Sequence, residues 1–270
     1  MSNRDGFQFG VPCWVDTWQP DAEAAVAFYT PLFGWEADDS PVTEAGVRHV
    51  MLRLRDREVA AIGSRPRGEG PALDPAWGTY VWVENVDETV AAATAAGGSV
   101  VIPAFESLDG GRMAVLRDPG GAVFGVWRPG AHRGARVINE PNAWSMSLLL
   151  TDDPDTAKSF YAAVFGWKAE PFQMGESEGT LWRLPGYVGG VPTQPVPRDV
   201  VGVMAPAFGR PAAWVVNFWV PDADATAAAA VDLGGKIVAG PFDTSISREA
   251  VLADPAGAVF TVSTVPAAAA

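Results

Sequence analysis

The chain has 270 residues, 48% of them hydrophobic and 19% charged, which is enough apolar material for one large packed domain or two of moderate size. Its 32 acidic residues against 19 basic ones leave a net charge of −13, which repels a phosphate backbone and an anionic membrane alike, so neither nucleic acid nor membrane is expected as a partner. The lone cysteine, Cys13, cannot close an internal disulfide. No apolar run approaches the roughly 20 residues of a membrane helix, and the first residues carry no apolar signal core, so a cytoplasmic setting is expected.

In chain order, residues 13–18 alternate like a strand. Residues 21–32 then place Ala24, Ala25, Phe28, Tyr29 and Leu32 on one face at helical spacing. Short strands are expected at 47–55 and 58–63, followed by a Pro/Gly-rich connection over 64–75. The order then restarts with a strand at 79–84 and a helix at 87–96 stopped by Gly97 and Gly98. Strands at 99–102, 112–117 and 122–127 close the half, the last two joined by a tight turn at Asp118-Pro119-Gly120-Gly121.

The second half repeats the first. Phe28-Tyr29 and Phe33-Gly34-Trp35 return as Phe160-Tyr161 and Phe165-Gly166-Trp167, and Trp82-Val83 as Trp219-Val220. Gly97-Gly98 returns as Gly234-Gly235, and the segment from Leu116 through Asp118 to Phe124 returns as Leu252 through Asp254 to Phe260. Matches in one order at nearly constant spacing divide the chain into two homologous halves, 8–130 and 140–265. The join over 128–135 reads as a linker, and the alanine tail after Pro266 as frayed. Each half is itself twice strand–helix–strand–strand–strand, which makes four modules.

The paired Phe-Tyr helices, the Gly-Gly helix stops and the Asp-Pro-x-Gly-Ala-Val-Phe hairpins resemble the vicinal oxygen chelate superfamily, the glyoxalase, bleomycin-resistance and extradiol-dioxygenase group. The resemblance implies an α+β fold of four βαβββ modules, forming two domains whose curved sheets surround ligand cups. It also implies a divalent metal on the cup floor, held by histidines of a module's first strand and a glutamate of its last. The matching positions here hold Trp14, Gly78 and Gly125 in the first half and Met146, Val215 and Thr261 in the second. These do not make the three or so ligands such a site needs. His49 and His132, the only histidines, fall outside the pattern and read as structural. The expectation is that no metal and no other cofactor is used.

With those positions facing the cup, strand alternation sends Trp14, Asp16, Trp18, Tyr80, Trp82, Val123, Gly125 and Trp127 into the first cup. It sends Met146, Leu148, Leu150, Val215, Asn217, Trp219, Val259, Thr261 and Ser263 into the second. Indole faces around a cavity suit planar aromatic ligands, and Asp16 among them could hold a ligand cation or donor. Trp35, Trp167, Trp77 and Trp214 read as core, and Cys13 as a buried structural thiol. The ligand walls are expected to stand open to solvent in the empty protein. One preferred site is expected, because the first half keeps Asp16 and the aromatics while Leu148 stands at the position matching Asp16.

The function expected from these readings is metal-free binding of a bulky aromatic small molecule, an antibiotic or polyketide-like product, for self-resistance or as an accessory to a biosynthetic enzyme. The acidic surface favours cationic ligands. The alternative is a cofactor-independent isomerase, lyase or hydroxylase-like enzyme using Asp16 or Tyr80 as acid or base. Both a monomer of two pseudo-symmetric halves and a homodimer are compatible with the sequence.

Overall fold

The computed structural model describes residues 6–39, 48–64, 74–107, 111–174, 177–189, 197–244 and 246–264. Most of the 64–75 connection and the alanine tail lie outside these residues. The first half contains β1 (Pro12–Gln19), α1 (Ala22–Phe33), β2 (Glu36–Ala37), β3 (His49–Leu54) and β4 (Arg57–Ser64). It continues with β5 (Ala76–Trp82), α2 (Val86–Ala95), β6 (Ser99–Glu106), β7 (Arg112–Arg117) and β8 (Val123–Arg128). The second half repeats this order with β9 (Ala143–Leu150), α3 (Pro154–Phe165), β10 (Lys168–Met174), β11 (Ser177–Arg183) and β12 (Val200–Ala205). Its last module is β13 (Ala213–Trp219), α4 (Ala223–Asp232), β14 (Lys236–Asp243), β15 (Arg248–Ala253) and β16 (Val259–Thr264).

Each half builds one eight-stranded, open sheet, ordered β2-β3-β4-β1-β5-β8-β7-β6 and β10-β11-β12-β9-β13-β16-β15-β14. The modules that pair are therefore the two of the same half, joined through antiparallel β1–β5 and β9–β13. The two-residue β2 was not anticipated, because a strand that short shows no period. α1 and α3 begin at aspartate caps: Asp21 accepts from the Ala24 amide and Asp153 from the Thr156 amide. Both stop at a left-handed glycine, Gly34 and Gly166.

The repeated motifs meet across the halves. α1 packs on α4, and α2 on α3. The Tyr29 hydroxyl donates to Asp254 at 2.8 Å and accepts from Trp77 Nε1 at 2.9 Å. Tyr161 does the same with Asp118 at 2.9 Å and Trp214 at 2.7 Å. Burial, and then the neighbouring aspartate, holds both phenols well above their ordinary range, so they stay protonated donors. Trp35 Nε1 donates to the Asn142 carbonyl and Trp167 Nε1 to the Gly10 carbonyl, each at 2.7 Å. A Cβ at Gly98 would come within 2.9 Å of the Phe160 ring, and one at Gly235 within 2.9 Å of the Phe28 ring. The second glycine of each helix stop thus admits the other half's phenylalanine. These rings form the core between the two sheets, where Thr79 Oγ1 and Ser147 Oγ also meet at 2.7 Å. The reading of Trp35, Trp167, Trp77 and Trp214 as core agrees with this packing.

Candidate functional site

The faces of the two sheets turned away from that core are the two cups. In the first, β1 and β5 pair Trp14 with Tyr80 and Asp16 with Gly78, and β8 sets Gly125 beside Tyr80 and Trp127 beside Trp82. Directly opposed residues share a face, so the alternation read from the sequence holds. Phe124 and Val126 pack on the opposite side, in the cluster that holds Phe160 and Tyr161.

The first cup is nonetheless not an open one. Trp14, Trp82 and Trp127 are only 4%, 8% and 6% exposed, and Tyr80 and Asp16 are buried with them. Trp18 and Val123 are half-buried, Trp18 with Gly63 beneath its ring. A Cβ on Gly125 would sit 2.1 Å from the Tyr80 ring, so the missing side chain is what lets the phenol lie flat on the sheet. The join between the halves closes the remaining side. The His132 ring packs 4.3 Å from Trp14, edge-on, and 4.7 Å from Trp127, stacked. His132 Nδ1 lies 2.8 Å from Glu58 Oε2. Arg133 lies over the Trp82 ring at 5.4 Å, and Phe7 lies 6.1 Å from it. The expectation that these tryptophans face solvent is thus corrected. The large rings fill the volume they were expected to surround, because burying them against one another and the linker removes more apolar area from water than an empty bowl would.

Burial has a price for Asp16. Among the described residues its Oδ1 has no hydrogen-bond partner, and desolvation raises its pKa to about 7, partly offset by the Tyr80 hydroxyl. Tyr80 itself is pushed well above its ordinary range by burial and by Asp16, and its oxygen accepts from Trp18 Nε1 at 3.4 Å. Cys13 is buried, its thiol facing the Tyr80 carbonyl at 3.4 Å, and desolvation holds its pKa well above the ordinary thiol value. It is a structural residue, as its sequence context indicates. His49 opens β3.

The second cup is lined differently. Met146, Leu148, Leu150, Trp219 and Thr261 are half-buried, Val259 is exposed, and Val215, Asn217 and Ser263 form the buried floor. Leu181, Val203 and Phe172 pack with Met146 and Leu148 as an apolar wall. The opposite wall is polar. Asn217 Oδ1 accepts from Ser145 at 2.7 Å and from Ser263 at 2.8 Å, and its Nδ2 donates to Thr261 Oγ1 at 2.9 Å. Glu249 on β15 lies opposite Ser263 on β16, so it shares this face. Burial holds its carboxyl above the usual range. Sequence reasoning missed Glu249 and His132 as parts of the cups. The only signal for Glu249 was the alternation of β15 relative to β16, and for His132 there was none. A cleft of about 40 Å³ borders this cup between Ile138, Trp144, Met146 and Val200. That is room for little more than a water, so an aromatic guest would lie in the open cup.

The residues at the superfamily's metal positions do not fit a metal. Trp14, Met146 and Val215 are apolar, Gly78 and Gly125 have no side chain, and the Thr261 oxygen is engaged with Asn217 and the Val216 carbonyl. Among the described residues no three His, Cys, Asp or Glu side chains come together as a ligand group. No helix among them is long and apolar enough to cross a membrane.

Residues 14–126 match the Glyoxalase/Bleomycin resistance protein/Dioxygenase superfamily, and residues 146–263 match a family described as a glyoxalase-like domain. The chain belongs to this superfamily. It is 41% identical, over 97% of each chain, to the Mycobacterium tuberculosis protein named "Putative glyoxylase CFP32". It is 34% identical to the anthracycline biosynthesis protein DnrV of Streptomyces peucetius, over 95% of this chain and 94% of the relative. Among solved structures, the Mn(II)-bound glyoxalase of Novosphingobium aromaticivorans superposes with a TM-score of 0.62 at 18% identity, covering 95% of this chain and 82% of that one. At that identity the likeness concerns the fold alone.

Proposed function

We propose that the protein binds a bulky, planar aromatic natural product of the polyketide class in its second cup, without a metal, as an accessory to that compound's biosynthesis or for self-resistance. The observation that carries this reading is the lining of that cup. Half-buried Met146, Leu148 and Trp219 form an apolar bowl over the hydrogen-bonded floor of Asn217, Thr261 and Ser263. Apolar walls with a few fixed polar groups are the usual composition of a small-molecule site. The relationship to an anthracycline biosynthesis protein over nearly the whole chain supports the same ligand class.

The test is a fluorescence titration of the full chain against a panel of polycyclic aromatics, with and without chelator, each bound compound then recovered and analysed. Saturable quenching that is insensitive to chelator, with the compound returned unchanged, is the expected result. Chelator-sensitive binding would overturn the metal-free reading. Chemical conversion would instead favour an enzyme, and one observation speaks for that alternative: Asp16, poised near neutrality beside Tyr80, has the acid–base character such chemistry needs. Its burial weighs against substrate reaching it.

A further inference from the structure

The polar wall of the second cup has a direction. Ser145 and Ser263 both turn their hydroxyl hydrogens onto Asn217 Oδ1. Thr261 gives its hydrogen to the Val216 carbonyl at 3.4 Å while accepting from Asn217 Nδ2. Ser247 donates to Glu249 Oε1. A hydroxyl has one hydrogen and two lone pairs, so each of these groups has spent its donor within the protein and keeps acceptor capacity. Apart from the second hydrogen of the Asn217 amide, this wall offers a guest acceptors only.

Glu249 adds a charge to that wall. Among the described residues it forms no ion pair, whereas Arg248, its neighbour on β15, is held by two carboxylates. Phe242 on β14 lies opposite Glu249 and is 39% exposed, so an aromatic edge and a carboxylate share one rim. In the first cup the equivalent of Glu249 is Met113, opposite Trp127 as Glu249 is opposite Ser263. A carboxylate at this position is thus specific to the second cup.

We propose that the second cup selects aromatic ligands bearing a cationic or hydrogen-bond-donating substituent, such as an amine, seated on Glu249 beside Phe242. This rests on the aromatic-binding reading and adds the ligand's polar half to it. A charge-assisted bond to a half-buried carboxylate is about twice as strong as a neutral one, and a lone carboxylate equally rejects an anion.

Three probes of one shape test it: 9-(aminomethyl)anthracene, 9-anthracenemethanol and 9-anthracenecarboxylate, titrated into the full chain at 0.15 M salt. That salt screens the protein's general negative charge beyond about 8 Å. The ammonium probe is expected to bind about tenfold more tightly than the alcohol, and the carboxylate most weakly. Glu249→Gln, checked by its melt, is expected to bring the ammonium and alcohol probes within about twofold of each other while leaving the alcohol's affinity in place. Equal binding of the three probes, or a preference that survives Glu249→Gln, overturns the inference and leaves aromatic binding standing. Failure of all three probes to bind overturns the aromatic reading and the inference with it. Should Glu249→Gln not fold, Glu249→Asp, which retracts the carboxylate by one methylene, is expected to reduce the ammonium preference, and an unchanged preference counts against the proposal.

Discussion

The two cups descend from one module pattern and have come to opposite ends. In the first, Trp14, Tyr80, Trp82 and Trp127 turn into the bowl and bury one another, and His132 and Arg133 of the join close over them. In the second, the equivalents of Trp14, Tyr80 and Trp127 are Met146, Asn217 and Ser263, so the bowl stays open and its floor is a hydrogen-bonded amide. Large side chains at cup positions do not make a large site. A ring that can reach its neighbours across a curved sheet fills the cavity, and shorter side chains leave room for a guest. The comparison also bears on Asp16 and Glu249. The closed cup has buried a carboxylate whose Oδ1 finds no hydrogen-bond partner among the described residues, while the second cup presents a carboxylate at its rim.

The sharpest way to break this comparison is to empty the first cup. Trp14→Ala and Trp127→Ala remove packed rings and should each cost roughly 3–5 kcal/mol of stability, as Trp35→Ala should in the core. The folded fraction should keep its affinity for aromatic ligands. Thermal melts paired with titrations check this, and a small melt change with lost binding would make the first cup the site after all.

Asp16→Asn should act in the other direction and depend on pH. Asp16 has a folded pKa of about 7, above its unfolded value. As pH rises from about 4 to 7 the unfolded chain gives up this proton and the folded one retains it, so stability falls across that window and the penalty is complete above it. At pH 8 the substitution should stabilise the protein by roughly 2–4 kcal/mol, a gain that shrinks toward zero near pH 4. Denaturant midpoints of both proteins at the two pH values measure it, and a pH-independent difference would remove Asp16 from the explanation.

In the second cup the effects should fall on binding. Trp219→Ala or Met146→Ala should weaken an aromatic ligand by roughly 1–3 kcal/mol, about five- to a hundredfold. Their melts should move less than that of Trp14→Ala, because both side chains are already half-exposed. The smallest effect belongs to the cover of the first cup. His132→Ala should cost about 1 kcal/mol through its lost ring contacts and its bond to Glu58. If the first cup is packed on itself, this variant still gains no ligand site, and the appearance of a second binding isotherm in calorimetry would show that the join had only been a plug.

The sequence by itself carried the fold. Repeated Phe-Tyr, Gly-Gly and Asp-Pro motifs gave the duplication, and strand alternation put Trp14, Asp16, Tyr80, Asn217 and Thr261 on the cup faces, because side-chain direction follows from local backbone geometry. What it could not carry was distance between residues far apart in the chain. That Tyr29 clasps Asp254 and Tyr161 clasps Asp118 explains why these motifs repeat, yet nothing local to either residue names its partner. Alternation likewise says which face a ring takes and not whether the face stays open. That depended on Gly125 letting Tyr80 lie flat, on the Trp14 and Trp127 indoles meeting across the sheet, and on His132 arriving from the join. It depended equally on Glu249 coming to lie beside Ser263 through the pairing of β15 with β16. Whether a bowl is filled or free is a balance of volumes contributed by separate strands, and only the tertiary structure brings those volumes together.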